Sequence, residues 1–393
     1  MKHNKQLLLF LAASAFLGVT QSIDTSFFNN FLSDTYNLTV SQRTILEIPR
    51  ELPGFLVVFV SGLLMFLGDI RIAVVANMLA AVGMMFLGLL SPTFGIMMIW
   101  TIIYSMGLHL YMPVSNSIGM HLADKRSMGK VLGQINGINT AAFLATSLLT
   151  ALILHFVKVS YTAAFVCGGL ASLVAALLVI KMKPIKHETS SKKLFVKKEF
   201  KLFYILSVVN GARKQIFITF GPWVLIKIFH QGVSTFALIG FITAFAGMLF
   251  KPYVGRLIDD RGEKFVLGAE AVFLFAVCIG YAVAEKLGAA LNVASLALVI
   301  TAGCYIIDQL LTAAGMARAT YVKKIAEKAE DISPTLSMGI SMDHAVSMLV
   351  PFAGSLIWNA FGYQAVFITG AFIAVMNFII TRFIVIDSEE VAV

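Results

Sequence analysis

The feature that most limits the fold is a series of apolar runs, each long enough for a helix that crosses a bilayer. Of the 393 residues, 59% are hydrophobic and 13% are charged, whereas soluble proteins carry roughly 25% charged residues. A helix needs about 20 mostly apolar residues to cross the hydrocarbon of a bilayer. We find twelve such runs, at 7–31, 44–67, 71–90, 94–118, 129–155, 160–181, 200–228, 234–257, 264–284, 291–315, 334–359 and 362–385. The runs lack the alternation of barrel strands, so we predict an all-α integral membrane protein with twelve transmembrane helices.

The positions of the basic residues predict the orientation of these helices. Most of the 30 lysines and arginines fall in segments on the same side as the N-terminus. On the opposite side lie Arg43, Lys158, Lys227 and Lys286. Cytoplasmic loops carry the excess of basic residues in membrane proteins. We therefore predict a multi-pass inner or plasma membrane protein with both termini in the cytoplasm, and the net charge of +9 does not indicate nucleic-acid binding.

The two halves of the chain repeat one pattern. A shift of 193 residues places Gly18 on Gly211, Gly54 on Gly247 and Arg71 on Lys264. Both copies run in the same direction through the membrane, as expected for parallel repeats. We predict a six-helix bundle at 1–183, a basic cytoplasmic linker at 184–199 and a second six-helix bundle at 200–393, with the bundles related by pseudo-twofold symmetry.

The loop after the eighth run, 255-GRLIDDRGEK-264, resembles the signature loop of the major facilitator superfamily. Its matching residues are Gly255, Asp259, Arg261, Gly262 and Lys264, while Glu263 stands where a basic residue is expected. The first-half equivalent, 62-GLLMFLGDIR-71, keeps Gly62 and Arg71. It has Phe66 in place of the acid and Asp69 in place of the second glycine, so we predict a degenerate first copy.

The resemblance covers the whole chain and implies a secondary transporter that works by rocker-switch alternating access. It also implies one site between the halves, lined by helices 1, 4, 7 and 10. The glycine-proline signature of drug antiporters is missing from 133–149, which disfavours a multidrug exporter.

Charged residues interrupt the start of the second run, 47-EIPRELPG-54. The uninterrupted part, 52–67, is about 24 Å long at 1.5 Å per residue and too short to span by itself. We therefore place Glu47, Arg50 and Glu51 in the outer third of the helix, with Glu47 and Arg50 as a pair three residues apart. The prolines at 49 and 53 predict a bend. Two interpretations stay open: a charge cluster that packs helices, or a gate or proton site.

Ionisable residues inside a span are costly and are functional candidates by default. Asp24 lies beyond the middle of the first run, on one face with Gln21. The resemblance points this face at the central cavity. We predict that Asp24 carries a proton, unless Arg50 or another cation keeps it ionised.

The seventh run carries two adjacent cations, Arg213 and Lys214, with Asn210 one turn earlier. Two cations at mid-membrane need anions. Three sources stay open: Asp24 with the glutamates of the second run, a bound substrate, or carboxylates of the second half.

A second set of polar residues lies on the other predicted cavity helices. It consists of His109, Tyr111, Tyr305 and Asp308. Asp308 is the strongest candidate, because the resemblance places helix 10 on the cavity. The histidines and the three cysteines show no metal-ligand spacing, so we expect no metal and no cofactor other than a proton gradient.

These observations favour a secondary active transporter for a small anionic or zwitterionic organic solute, coupled to protons. A neutral solute with a self-complementary gate is the alternative for the same charges. A multidrug or hydrophobic-compound exporter and a non-transporting receptor are the alternative functions. No phosphate-binding loop motif is present, and we expect no enzyme activity. The expected partners are the solute and the lipid bilayer, with no nucleic acid, and the expected state is a monomer.

Overall fold

A computed structural model of the chain describes residues 2–64, 67–123, 128–184 and 196–385. Thirteen α-helices occur in these ranges. They are α1 Lys2–Tyr36, α2 Val40–Ile45, α3 Glu47–Leu64, α4 Asp69–Leu89, α5 Phe94–His121, α6 Met128–Phe156, α7 Tyr161–Val179, α8 Lys201–Lys227, α9 Val233–Ala290, α10 Ala294–Leu311, α11 Gly315–Ile325, α12 Ala329–Phe361 and α13 Tyr363–Thr381. Short 3-10 turns at Lys198–Phe200 and Thr312–Ala314 precede α8 and α11.

The predicted all-α membrane fold is confirmed over the described residues. Nine of the described helices are long and apolar enough to cross a membrane. One of them, α9, has 58 residues and contains a non-helical residue at Gly262, so it accounts for the predicted eighth and ninth spans. The predicted second and seventh spans correspond to α3 and α8.

The chain divides into two compact units. The first comprises Met1–Thr39, Ile48–Ser190 and Gln231–Phe245. The second comprises Val40–Glu47, Ser191–His230 and Ala246–Val393. Most of the predicted linker lies outside the described residues, so the division at 184–199 stays a prediction. The predicted replacement of the acidic residue by Phe66 also lies outside them.

The first unit is held together by close helix packing. Here α4 packs on α5 and α7, and α1 packs on α6 and α7. Gly83 lies against the backbone of Tyr104, and Gly107 lies against that of Ala80. Small residues let membrane helices approach closely. The hydroxyl of Thr20 on α1 also lies 2.9 Å from that of Ser172 on α7.

The second unit is built around α8, which packs on α10, α12 and α13. Its core is aromatic: Phe217 contacts Tyr281 edge-on, and Tyr281 stacks on Phe367 with ring centroids 4.1 Å apart. Gly211 of α8 lies against the backbone of Asp343 on α12. This close approach brings the polar middle of α8 next to α12.

The predicted second helix is two helices in the structure. A turn at Leu46 separates α2 from α3, three residues before Pro49. Proline disfavours helical backbone in the residue before it and removes a hydrogen-bond donor. This turn directly precedes the charged segment, and both prolines lie within α3.

Gly68 and Gly262 have the same unusual backbone conformation. Gly68 has φ 75 and ψ 156, and Gly262 has φ 79 and ψ 168. Only glycine adopts this region readily. The first copy of the signature loop therefore keeps its second glycine at Gly68, and the prediction that Asp69 replaces it was wrong. The repeat is offset by one residue here, so that Asp69 corresponds to Glu263.

Replacing Gly262 by alanine should destabilise the second unit by about 1–3 kcal/mol, because only the backbone conformation penalises the new side chain. An added Cβ at Gly262 meets nothing within 4 Å. Gly255→Ala is the matched control: its Cβ also meets nothing within 4 Å, and its backbone is helical. Thermal unfolding in detergent should show a lower midpoint for Gly262→Ala and no decrease for Gly255→Ala. Equal unfolding midpoints for Gly262→Ala and Gly255→Ala would contradict the conclusion that the backbone at Gly262 requires glycine.

Candidate functional site

The guanidinium of Arg213 lies between two carboxylates in the core of the second unit. One of its nitrogens lies 2.9 Å from Oδ1 of Asp308 on α10, and another lies 2.9 Å from Oε1 of Glu270 on α9. All three side chains are at most 3% exposed. The charge of Arg213 is therefore compensated by carboxylates of its own unit, which was one of the three predicted sources.

A second arginine completes this network. Arg318 of α11 donates a hydrogen bond of 3.1 Å to the other oxygen of Glu270. Gln309 donates to the second oxygen of Asp308 at 3.3 Å. Two arginines and two carboxylates balance, so the network carries no net charge and connects four helices. We call Arg213, Glu270, Asp308 and Arg318 the arginine network.

Lys214 belongs to a separate and more accessible group. Its ammonium donates to Oδ1 of Asp343 on α12, and Asn210 donates to Oδ2 of the same carboxylate at 2.7 Å. The side chain of Lys214 is 24% exposed and that of Asp343 is 13% exposed. We call Asn210, Lys214 and Asp343 the lysine group. Because adjacent residues of a helix point about 100° apart, Arg213 and Lys214 reach different partners.

The two groups differ in what they permit chemically. Removing one charge from the arginine network would leave another buried without compensation, which is costly. The lysine group is partly exposed, so a bound anion has access to the ammonium and a proton has access to the carboxylate. The lysine group is thus the better candidate for exchange with a solute.

In the first unit, the charge of Arg50 on α3 acts on Asp24, and Tyr104 of α5 lies near it. Tyr104 is 5% exposed, and the guanidinium of Arg50 lies over the ring of Phe28, 5.5 Å from its centroid. Gln21 lies one turn earlier on α1 and is half-buried. The role of Asp24 as a proton carrier stays a prediction.

His109 has a structural role in this unit. Its Nδ1 lies 3.1 Å from the hydroxyl of Ser105, one turn earlier on α5. Ser105 donates to the carbonyl oxygen of Arg50 at 2.6 Å. These bonds join α5 to the start of α3. Tyr111 packs against an apolar core cluster of the unit, with its ring 6.4 Å from that of Phe10.

The charges at the start of the second span are arranged differently from the prediction. Glu47 accepts a hydrogen bond from Arg43, four residues earlier, and both side chains are fully buried. Arg43 also lies 6.0 Å from the ring centroid of Trp223 on α8. Arg43 was predicted on the side of the membrane opposite the N-terminus, and the structure adds that its side chain is fully buried within the protein. Glu51 is 6% exposed.

The signature loop is tied to α11. Glu263, which departs from the family pattern, is fully buried and its Oε1 lies 2.9 Å from the ammonium of Lys324. The other predicted loop residues with side chains, Asp259, Arg261 and Lys264, are exposed. In the first unit, Asp69 accepts a hydrogen bond from Ser117 at 2.5 Å. An acid that follows the unusual glycine is therefore buried and partnered in both units.

Sequence reasoning missed two members of the arginine network. Glu270 lies in an apolar run of α9, and its isolation among apolar residues was the available signal. Arg318 was counted with the basic residues of a loop, whereas the structure places it on α11. Tyr305 packs against the aromatic core of the second unit. Within the described ranges, no cluster of three metal-ligating residues occurs.

Comparison with known proteins identifies the relatives of this chain. The family model described as Major Facilitator Superfamily matches residues 8–320. No curated protein matches. Among solved structures, the nucleoside transporter NupG superposes with a TM-score of 0.74 at 14% identity, over 96% of this chain and 98% of that one.

Two further solved structures have the same fold. A bacterial homologue of the human lysosomal transporter Spinster, in an inward-facing and occupied conformation, gives a TM-score of 0.71 at 13% identity, over 96% of this chain and 95% of that one. A D-xylose-proton symporter gives 0.67 at 14% identity, over 95% and 96%. At these identities the likeness shows the fold alone.

Replacing Glu270 by glutamine should destabilise the protein by about 3–5 kcal/mol, because Arg213 would keep only Asp308 and Arg318 would lose the carboxylate that it contacts. Glu199→Gln is the control: it removes a charge from a pair 3.6 Å apart whose side chains are 33% and 40% exposed, and such pairs contribute about 0–1 kcal/mol. Thermal unfolding in detergent measures both. The double variant Glu270→Gln, Arg318→Gln restores the charge balance and should recover part of the loss. If Glu270→Gln and Glu199→Gln lowered the unfolding midpoint by similarly small amounts, the structural role of the arginine network would be contradicted.

Proposed function

Because the chain belongs to the major facilitator superfamily, we propose that it is a secondary active transporter for a small anionic or zwitterionic organic solute. It moves the solute by rocker-switch alternating access and couples this movement to protons. The observation that carries the proposal is the lysine group, a partly exposed ion pair in the middle of α8, next to the buried charge of Arg213.

The lysine group supports an anionic solute group. Lys214 presents the one cation of the α8 middle that is not enclosed, and its partner Asp343 is itself accessible. A carboxylate of the solute competes with Asp343 for the ammonium of Lys214. Both carboxylates accept the same kind of charge-assisted hydrogen bond from it. When the solute takes the ammonium, Asp343 loses its cation, although Asn210 still donates to it.

Loss of the ammonium favours protonation of Asp343. A carboxylate in a span is costly when no cation compensates it, and a proton removes that cost. Solute binding and proton binding at the lysine group therefore favour each other. This reciprocity is the thermodynamic requirement for coupled binding at two sites. Asp24, held near Arg50 in the first unit, is the second acid that we propose for the proton.

One observation favours a neutral polar solute as the second candidate. Every cation of the two groups in the α8 middle already has a carboxylate of its own unit. When the charges of the protein are already balanced, no solute charge is required to compensate them. The similar structures include a nucleoside transporter and a D-xylose-proton symporter, whose named solutes fit this candidate. The experiment below separates the two.

For the location, we propose a multi-pass inner or plasma membrane protein with both termini in the cytoplasm. The asymmetry of the basic residues supports this orientation. We propose that the monomer is the transporting form.

Replacing Lys214 by glutamine should raise the KM for an anionic or zwitterionic solute about 10- to 100-fold, because a hydrogen bond to a charged group contributes about 1.5–3 kcal/mol. Proteoliposomes that contain a pH dye are tested against a panel of amino acids, carboxylates, sugars and nucleosides. Lys286→Gln, which removes an exposed lysine at the end of α9, is the control. The swapped variant Lys214→Asp, Asp343→Lys should regain solute-driven proton flux. An unchanged KM for an anionic solute, or transport of sugars and nucleosides only, would favour the neutral candidate.

Replacing Asp24 by asparagine should abolish solute accumulation driven by a pH gradient while leaving solute counterflow intact. A gradient of one pH unit sustains roughly tenfold accumulation per coupled proton, and an amide cannot take up that proton. Radiolabelled uptake with and without the gradient measures both activities. Asp34→Asn, at an exposed acid of the same helix, should behave as the native protein. Gradient-driven accumulation by Asp24→Asn at the native level would remove Asp24 from the proton pathway.

A further inference from the structure

A cavity at the start of α8 lies apart from the groups described above. Its volume is about 330 Å³, and its lining belongs to the second unit. Three lysines, Lys197, Lys198 and Lys201, line it together with apolar side chains of α8 and Met342 of α12. Along α8, Ile205 and Val208 follow Lys201 by four and seven residues, so all three lie on one face of the helix. The cavity therefore joins a basic end to an apolar wall.

The basic end carries three lysines against two carboxylates, Asp331 and Glu199, which both lie within 4 Å of the ammonium of Lys197. Lys197 is hydrogen-bonded to Asp331, and this bond raises the pKa of Lys197, which stays charged at neutral pH. Lys198 and Lys201 are exposed, and neither forms an ion pair with a residue of the described ranges. No side chain caps the start of α8 or of the 3-10 turn before it. The N–H groups of Phe200 and Lys201 are bonded to the carbonyl oxygens of Lys197 and Lys198, so the attraction for an anion at this end comes from the lysine side chains.

The hydroxyl of Tyr204 provides an independent indication of a ligand. Tyr204 lines the cavity and is 6% exposed. Its oxygen is buried and has no hydrogen-bond partner among the described residues. Buried polar groups are almost always partnered, and an unpartnered one is costly. An acceptor atom in the cavity would satisfy this hydroxyl.

The apolar wall indicates what else the ligand contains. Ile205 and Val208 are each 37% exposed, and Val196 is 59% exposed. These side chains belong to the cavity lining, and a free inorganic anion would gain nothing from them. A lipid acyl chain would cover them. Basic pockets between membrane helices on the cytoplasmic side are suited to anionic headgroups.

We propose that this cavity binds one anionic phospholipid. Its phosphate lies between Lys198 and Lys201 and accepts a hydrogen bond from Tyr204, while one acyl chain lies along Ile205 and Val208. The site is independent of the solute and of the lysine group. It adds a lipid-recognition site at the point where the chain enters the second unit.

Photo-crosslinking tests the site directly. The protein is reconstituted into phosphatidylcholine vesicles with a trace of phosphatidylglycerol that carries a diazirine in one acyl chain, and labelled peptides are mapped after irradiation. We expect labels at 196–208 or at Met342. The double variant Lys198→Gln, Lys201→Gln should lower the labelling about tenfold or more, because each lysine near an anionic lipid contributes roughly fivefold. Tyr204→Phe should lower it about two- to tenfold through the lost hydrogen bond.

The matched control is Lys181→Gln, Lys183→Gln, which removes two exposed lysines after α7 and should leave the labelling unchanged. Thermal unfolding shows whether each variant is folded, and Tyr204→Phe retains the ring if the lysine variant is unstable. If diazirine phosphatidylcholine labelled the cavity as strongly as diazirine phosphatidylglycerol, the proposal would be overturned. It would also be overturned if the control variant lost as much labelling as Lys198→Gln, Lys201→Gln. Abolition of labelling by excess glycerol phosphate would show that the cavity takes a free anion, and would also overturn it.

Discussion

The pairing of charges inside the membrane is the constraint on which the second unit depends. Arg213 sits in the middle of α8, where an unpaired cation is costly. Its two carboxylates come from α9 and α10, and Glu270 also holds Arg318 of α11. The polar side chains therefore determine which helices are neighbours. An apolar bundle alone would not do so, because lipid is as apolar as the helix surfaces.

The same constraint separates structural charges from exchangeable ones. The arginine network is neutral, and three of its four side chains are at most 3% exposed, so its members serve the packing of the unit. The lysine group is partly exposed, so its ion pair is open to exchange. In the first unit, Asp24 and Arg50 form a further association beside Tyr104. Pairs that open and re-form give a transporter two states of similar energy, and a solute or proton shifts their populations.

The sequence predicts the spans well, since length and apolarity of a helix are local properties. It also predicts Gly262 as a special position. The partners of Arg213 were not predictable, because they depend on which helices meet. The burial of Arg43 was not predicted for the same reason: only the fold places its guanidinium beside Trp223 of α8. The register error at Asp69 arose because a constant shift between repeats ignores the one-residue offset at Gly68.

The central claim is that solute takes Lys214 from Asp343, and that Asp343 then takes a proton. Infrared difference spectroscopy of the reconstituted protein, with and without the transported solute, measures this directly through the carbonyl band of a protonated carboxyl group. The account predicts a band that appears with the solute, is lost in Asp343→Asn and is retained in Glu199→Gln. A band of native size in Asp343→Asn, or no band at saturating solute, would contradict it.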